Sequence, residues 1–210
     1  MALVILAASL VAAFVFYPVL PARVPSHWNA IGQIDGYVSP FWGAFLFPIM
    51  SIVLLAVFIV IPRIDPKREN IEKFRTYLDE FILVLFAFLA YLHLFILLIS
   101  LYYQLNLFQF LSVGIALLFA AAARLMEHAE PNWTMGILTP WTLSSDSVWH
   151  ATHVLGAKLF SASAVIALLG LALPRYAIWF VLVPAIASAV ASFVYSYVLY
   201  GRERQGSVTA

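Results

Sequence analysis

Six nearly uncharged apolar stretches, at residues 2–20, 41–62, 81–101, 108–126, 158–174 and 176–200, constrain this chain more than any other feature. Each has the length, roughly 17–25 residues, at which an α-helix crosses the hydrocarbon core of a bilayer. There every backbone N–H and C=O must find its partner within the protein, which a helix provides by itself. A soluble fold would need a charged skin, and only 10% of the residues are charged while 64% are hydrophobic; soluble domains carry roughly 25% charge. The expectation is an all-α, polytopic integral membrane bundle of six transmembrane helices. The first stretch, "MALVILAASLVAAFVFYPVL", has no basic residue and exceeds the roughly 7–15-residue apolar core of a signal peptide, so it is read as the first span.

Lysine and arginine set the orientation, because they stay cytoplasmic during insertion. With the N-terminus inside, Arg63, Lys67, Arg68, Lys73, Arg75, Arg124, Lys158, Arg202 and Arg204 are cytoplasmic, and only Arg23 and Arg175 lie outside. Both termini are therefore expected in the cytoplasm. The single domain, 1–210, divides into a two-span part at 1–64 with an outer loop at 21–40, a juxtamembrane helix with spans three and four at 65–126, a cytoplasmic motif loop at 127–157, and spans five and six with a tail at 158–210. A tight turn is placed near 102–107 and another at Pro174 and Arg175. The net charge of +1 argues neither for nor against nucleic acid, and none is expected as a direct partner; membrane lipid is. The absence of cysteine excludes disulfides, thiolate metal sites and thiol nucleophiles, leaving any metal to His, Asp and Glu.

In "DPKRENIEKFRTYLDEF", Ile71, Phe74, Leu78 and Phe81 recur at spacings of three and four, which predicts an amphipathic helix running into the third span. Asp65 suits its N-cap and Pro66 its first turn. A solvated helix near the lipid headgroups is the expected setting.

The passage "EPNWTMGILTPWTLSSDSVWHATHVLG" concentrates polar and aromatic residues beyond what a connector needs. Ser145 is the expected N-cap of a helix that begins near Asp146 and continues into the fifth span. Asp146, His150, His153, Ala157 and Ser161 then fall at helical spacing on one face, with Trp149 on the flank as a headgroup-level anchor. Two histidines three residues apart can reach one cation. Glu127, His128 and Asp146 could complete a site for zinc or another divalent metal, giving a metal-dependent membrane hydrolase. In the alternative the histidines satisfy loop carbonyls and, with Asn132 and Thr139, pin the loop to the bundle. A channel or passive carrier along Ala157, Ser161 and Ala164 is a third class, although small residues on membrane helices more often pack than conduct.

The outer loop, "LPARVPSHWNAIGQIDGYVSP", holds the titratable pair His27 and Asp35, Trp28 as an interfacial ring, Gly32, and a turn expected at Asp35 and Gly36. Within the spans, His93 is expected to be neutral and bonded to a tyrosine or a backbone carbonyl. No chain of acids or array of arginines of the kind used by driven transporters is present.

In order and spacing, this outer loop, then "IDPKRENIEKF", then "PNWTMGILTPWTLSSDSVWHATHVLG", resemble the membrane proteins of the SdpI immunity family, including the domain of unknown function in their N-terminal half. The resemblance spans nearly the whole chain. It marks His27, Trp28, Gly32, Asp35 and Gly36 outside, and Pro131, Asn132, Gly136, Ile137, Thr139, Pro140, Trp141, Thr142, Leu143, Val148, Trp149, Thr152, His153 and Gly156 inside. Leu138 and Val154 stand where the family has arginine. The resemblance implies a multi-pass protein of a prokaryotic plasma membrane. It would confer immunity to a secreted peptide toxin, or signal its presence, without turnover, with a cytoplasmic ArsR-type repressor as a partner.

Overall fold

A computed structural model of the chain describes residues 1–29, 32–101 and 106–208. Ala30 and Ile31 of the outer loop, residues 102–105 of the tight turn, and residues 209–210 lie outside the described residues. The elements are α1 (Ala2–Phe16), β1 (Val24–Trp28), β2 (Ile34–Val38), α2 (Pro40–Ile64), α3 (Arg68–Lys73), α4 (Arg75–Ser100), α5 (Leu107–His128), α6 (Pro140–Ser144), α7 (Asp146–Ala172) and α8 (Ala177–Val208). Among the described residues, six helical segments are long and apolar enough to cross a membrane, and the protein is a multi-pass helical bundle.

The bundle has two parts. Helices α1, α2 and α4 pack on one another, α7 is wedged between α5 and α8, and α4 against α5 joins the two groups. α7 can sit between two helices because its buried positions, including Gly156, Ala157, Ser163, Ala164, Ala167 and Gly170, are small. Small side chains let helix backbones approach closely where lipid gives no hydrophobic reward for association. A Cβ built at Gly170 would meet the Ala177 Cβ at 2.7 Å.

Two local expectations give way to tertiary packing. The 65–81 segment is not one helix capped by Asp65. Asp65 ends α2, a turn follows, and α3 and α4 are separated by a break at Phe74. Nor does its apolar face rest among headgroups. Ile71, Phe74, Leu78, Ile82 and Phe86 form a fully enclosed core cluster against Leu54, Phe58 and Leu125, because the motif loop closes over them from the other half.

The outer loop folds as an antiparallel hairpin, β1 with β2, that seats Val24 and Trp28 on Phe95 at the far end of α4. Asp35 and Gly36 lie within β2 rather than in a turn. The register shifts around His27 bring Gly36 opposite it, where a Cβ would lie 2.7 Å from that of His27. Glycine serves cross-strand approach here. The hairpin and the motif loop occupy opposite ends of α4, whose 26 residues span roughly 39 Å at ~1.5 Å per residue.

Candidate functional site

The motif loop is built outward from Asn132, which is 1% exposed. Its Nδ2 donates to the carbonyls of Glu130 and Met135, each at 2.9 Å, and its Oδ1 accepts the N–H groups of Thr134 (2.9 Å) and Met135 (2.7 Å). Two donors and two acceptors are therefore all in use, which only an amide can supply. Asn132→Asp keeps the shape but turns a carboxylate toward two carbonyls. It is expected to cost about 2–4 kcal/mol, read as a lower thermal midpoint in detergent; an unchanged midpoint would show that the loop is not held by this amide.

The loop is tied to the first half by Asp65. This buried carboxylate accepts the Lys67 N–H at 2.7 Å through Oδ1, and the Trp133 N–H (3.0 Å) and Thr134 hydroxyl (2.7 Å) through Oδ2. Asn70 Nδ2 donates to the Pro131 carbonyl at 2.8 Å, and Lys67 approaches Asp146 at 3.5 Å, where both side chains are solvated. Asp65 as an organiser of the motif loop was not read from the sequence. Its place between Ile64 and Pro66 gave a capping signal, and nothing local points to partners 68 and 69 residues away.

The second half of the loop rests on α7 and α8. Gly136 turns the chain at φ +117°, and Ile137 N–H then donates to His153 Nε2 at 3.0 Å while His153 Nδ1 donates to the Trp149 carbonyl at 2.9 Å. With one ring nitrogen accepting and the other donating, His153 is held as the neutral Nδ1–H tautomer. Trp149 is fully buried rather than anchored among headgroups. Its Nε1 donates to the Ala129 carbonyl at 2.8 Å, and its ring stacks on His153 at 4.1 Å.

Thr139 and Thr142 cap the short α6 reciprocally, with Pro140 at its first position. Thr139 Oγ1 also donates to Ser196 Oγ of α8 at 3.1 Å, and Trp141 packs edge-on to Phe193 and Tyr197. This helix sits in what the sequence suggests is irregular chain. Ser145 caps α7 as expected, accepting from Val148 N–H at 3.3 Å and donating to Glu203 at 2.7 Å.

The metal candidates are dispersed. The His150 side chain is 54% exposed, with its Nε2 3.9 Å from Glu130. His128 donates to the Arg124 carbonyl and stacks on Tyr77 at 3.6 Å. Glu127 is exposed, Asp146 faces Lys67, and His153 has both ring nitrogens engaged. Among the described residues, no three His, Asp or Glu side chains stand together as a metal site. The face drawn through Asp146, His150, His153, Ala157 and Ser161 divides, with His153 and Ala157 buried and the other three exposed. Position 149, one residue before His150, takes the buried register instead.

At the other end, His27 Nδ1 and Asp35 Oδ1 are paired at 2.5 Å in the exposed hairpin, and Gly32 adopts φ +83°. His93 hydrogen-bonds Ser9 of α1 at 2.7 Å and stacks on Phe47, so a hydroxyl on another helix, and not a tyrosine, holds its Nδ1. Neither histidine approaches the motif loop.

Behind the loop lies an apolar cavity of about 490 Å³ between the two halves. Gly136, Ile137, Leu138 and Thr139 form one wall, and Phe58, Phe81, Phe160 and Phe193 contribute from α2, α4, α7 and α8. Ser192 also lines it, and its buried hydroxyl has no hydrogen-bond partner among the described residues. Leu138 and Val154 are 42% and 45% exposed.

Residues 4–52 match the model for a domain of unknown function (DUF1648), and residues 128–197 match that of the SdpI/YfhL protein family. The first match covers α1, the hairpin and the start of α2; the second covers the motif loop, α6, α7 and most of α8. The chain is 26% identical over 199 residues to "Immunity protein SdpI" of Bacillus subtilis (strain 168), covering 94% of this chain and 93% of that protein. No solved structure matches.

Proposed function

We propose, from this chain's similarity to the SdpI/YfhL family, that it protects a prokaryotic cell from a secreted, membrane-active peptide by binding it in the plane of the plasma membrane, without chemical turnover. One observation carries this reading: the family's motif loop walls an apolar cavity at the junction of the two halves, while its own polar groups are consumed in holding the loop. Pockets of ~300–1,000 Å³ with a mostly apolar lining and few polar groups hold small ligands or anchoring side chains. At 490 Å³ the cavity fits that range. The unpartnered Ser192 hydroxyl supplies a single polar contact. Occupancy between the halves biases their relative packing, and the charged loop end would pass that change to a cytoplasmic partner such as an ArsR-type repressor.

The test is survival. Cells sensitive to such peptides, expressing this chain, should tolerate a panel member that kills controls. Ala189→Phe, which fills the cavity, should abolish protection at unchanged protein level. Equal killing with and without the wild-type chain across the panel would sink the immunity reading. Protection undiminished by Ala189→Phe would remove the cavity from it.

A further inference from the structure

A second apolar groove, unrelated to the motif loop, runs between α4 and α5 and encloses about 480 Å³. Its walls are Val84, Ala87, Phe88, Val113, Leu117 and Ala120, and Leu117 is 61% exposed, so the groove faces what surrounds the bundle. Both ends are defined. At one, Tyr91 stacks on Phe110 at 3.7 Å and donates to its carbonyl at 2.9 Å, closing the groove. At the other, Arg124 and Glu80 pair at 2.8 Å, with the guanidinium 5.4 Å from the Tyr77 ring.

The distance between these ends selects the occupant. From Glu80 to Tyr91 on α4, and from Arg124 back to Val113 on α5, the helices advance eleven residues, roughly 16 Å at ~1.5 Å per residue. Half of a ~30 Å hydrocarbon core is ~15 Å. The groove is therefore one leaflet deep, with charge only at the end where headgroups lie. An acyl chain fits the length, and a phospholipid is the amphiphile that supplies both chain and head.

The charged end reads the head. A guanidinium carries five N–H donors and a carboxylate about four lone-pair sites, more than one mutual contact uses. Both side chains are also partly exposed, at 59% and 46%. Arginine matches phosphate oxygens, and a carboxylate beside it matches an ammonium with N–H groups to donate. A phosphate next to a primary ammonium is the headgroup of phosphatidylethanolamine. A quaternary choline has no N–H for Glu80, and an anionic glycerol headgroup places nothing positive against it.

We propose that the α4–α5 groove is a binding site for one phosphatidylethanolamine molecule of the leaflet at the Lys/Arg-rich end, with its phosphate on Arg124, its ammonium on Glu80 and an acyl chain reaching Tyr91. The experiment is native mass spectrometry of the full chain released from nanodiscs containing equal phosphatidylethanolamine, phosphatidylcholine and phosphatidylglycerol of identical acyl chains. One phosphatidylethanolamine should be retained in preference to the other two. Glu80→Gln should lower its preference over phosphatidylcholine about fivefold, as expected from ~1 kcal/mol per interfacial charge. Arg124→Gln should lower retention of every phospholipid. Ala120→Phe, on the open wall, should abolish retention while the thermal midpoint stays at the wild-type value. Equal retention of the three lipids would overturn the proposal. Preference for phosphatidylglycerol, or a preference indifferent to Glu80→Gln, would overturn the assignment of the ammonium. Loss of retention in Ala120→Phe only together with loss of fold is resolved by Glu80→Gln, whose exposed site does not bear on packing.

Discussion

Gly136→Ala is expected to unseat the motif loop. The backbone there is held at φ +117°, a conformation that costs L-residues about 1–3 kcal/mol. The new methyl would also fall on His153 Nε2, the atom that accepts the next residue's N–H at 3.0 Å. Losing that bond leaves a part-buried N–H unpaired, about 1 kcal/mol more. The thermal midpoint in detergent should fall by several degrees, and protection of sensitive cells should be lost with the cavity wall. A double-mutant cycle with His153→Ala distinguishes the two causes. If the methyl acts by colliding with the imidazole, the two substitutions together cost clearly less than their sum. Simple additivity would mean that the turn alone is responsible.

Asp65 carries the other large effect, since one buried carboxylate joins the two halves. Asp65→Asn keeps the volume but presents an NH₂ where donors already point. Hydrogen bonds to a charged group are worth about 1.5–3 kcal/mol each, and at least one of the three must be lost. The expected cost is about 2–5 kcal/mol, with faster amide exchange at 132–135 and 67–68. Lys67→Ala is the contrast. It removes only the solvated 3.5 Å pair with Asp146, of a kind worth little, and should leave both readouts unchanged. If the two variants behaved alike, Asp65 would be an ordinary turn residue.

The parts of this protein that sequence made legible were those whose physics is local. Ser145 caps the helix that starts at Asp146 because a hydroxyl can reach a backbone N–H three residues on. Thr139 and His153 stood out in a polar passage that a connector does not require, Gly136 and Pro140 were marked by the resemblance, and the structure joins all four in one hydrogen-bonded loop. The misread residues depend on distant partners. Trp149 has the composition of an interfacial anchor, yet it is buried because Ala129, twenty residues earlier, offers it a carbonyl. Asp65 reads as a cap, and its main partners lie beyond two further spans. His150 and His153 share a spacing but not an environment.

The sequence by itself determined that this chain is a bundle of six membrane helices, because in a bilayer each span must satisfy its own backbone and twenty apolar residues can do so in only one way. It also determined where the polar passages lie between spans, since their charges and prolines cannot be buried in lipid. The tertiary structure decided what those passages do. Packing of α7 between α5 and α8 turned His153 inward and His150 outward, the carboxylate of Asp65 bound the loop to the opposite half, and the gap left between the halves became the cavity. These depend on which helices meet and in what register, and that is set by side-chain fit across the whole bundle rather than by any single segment.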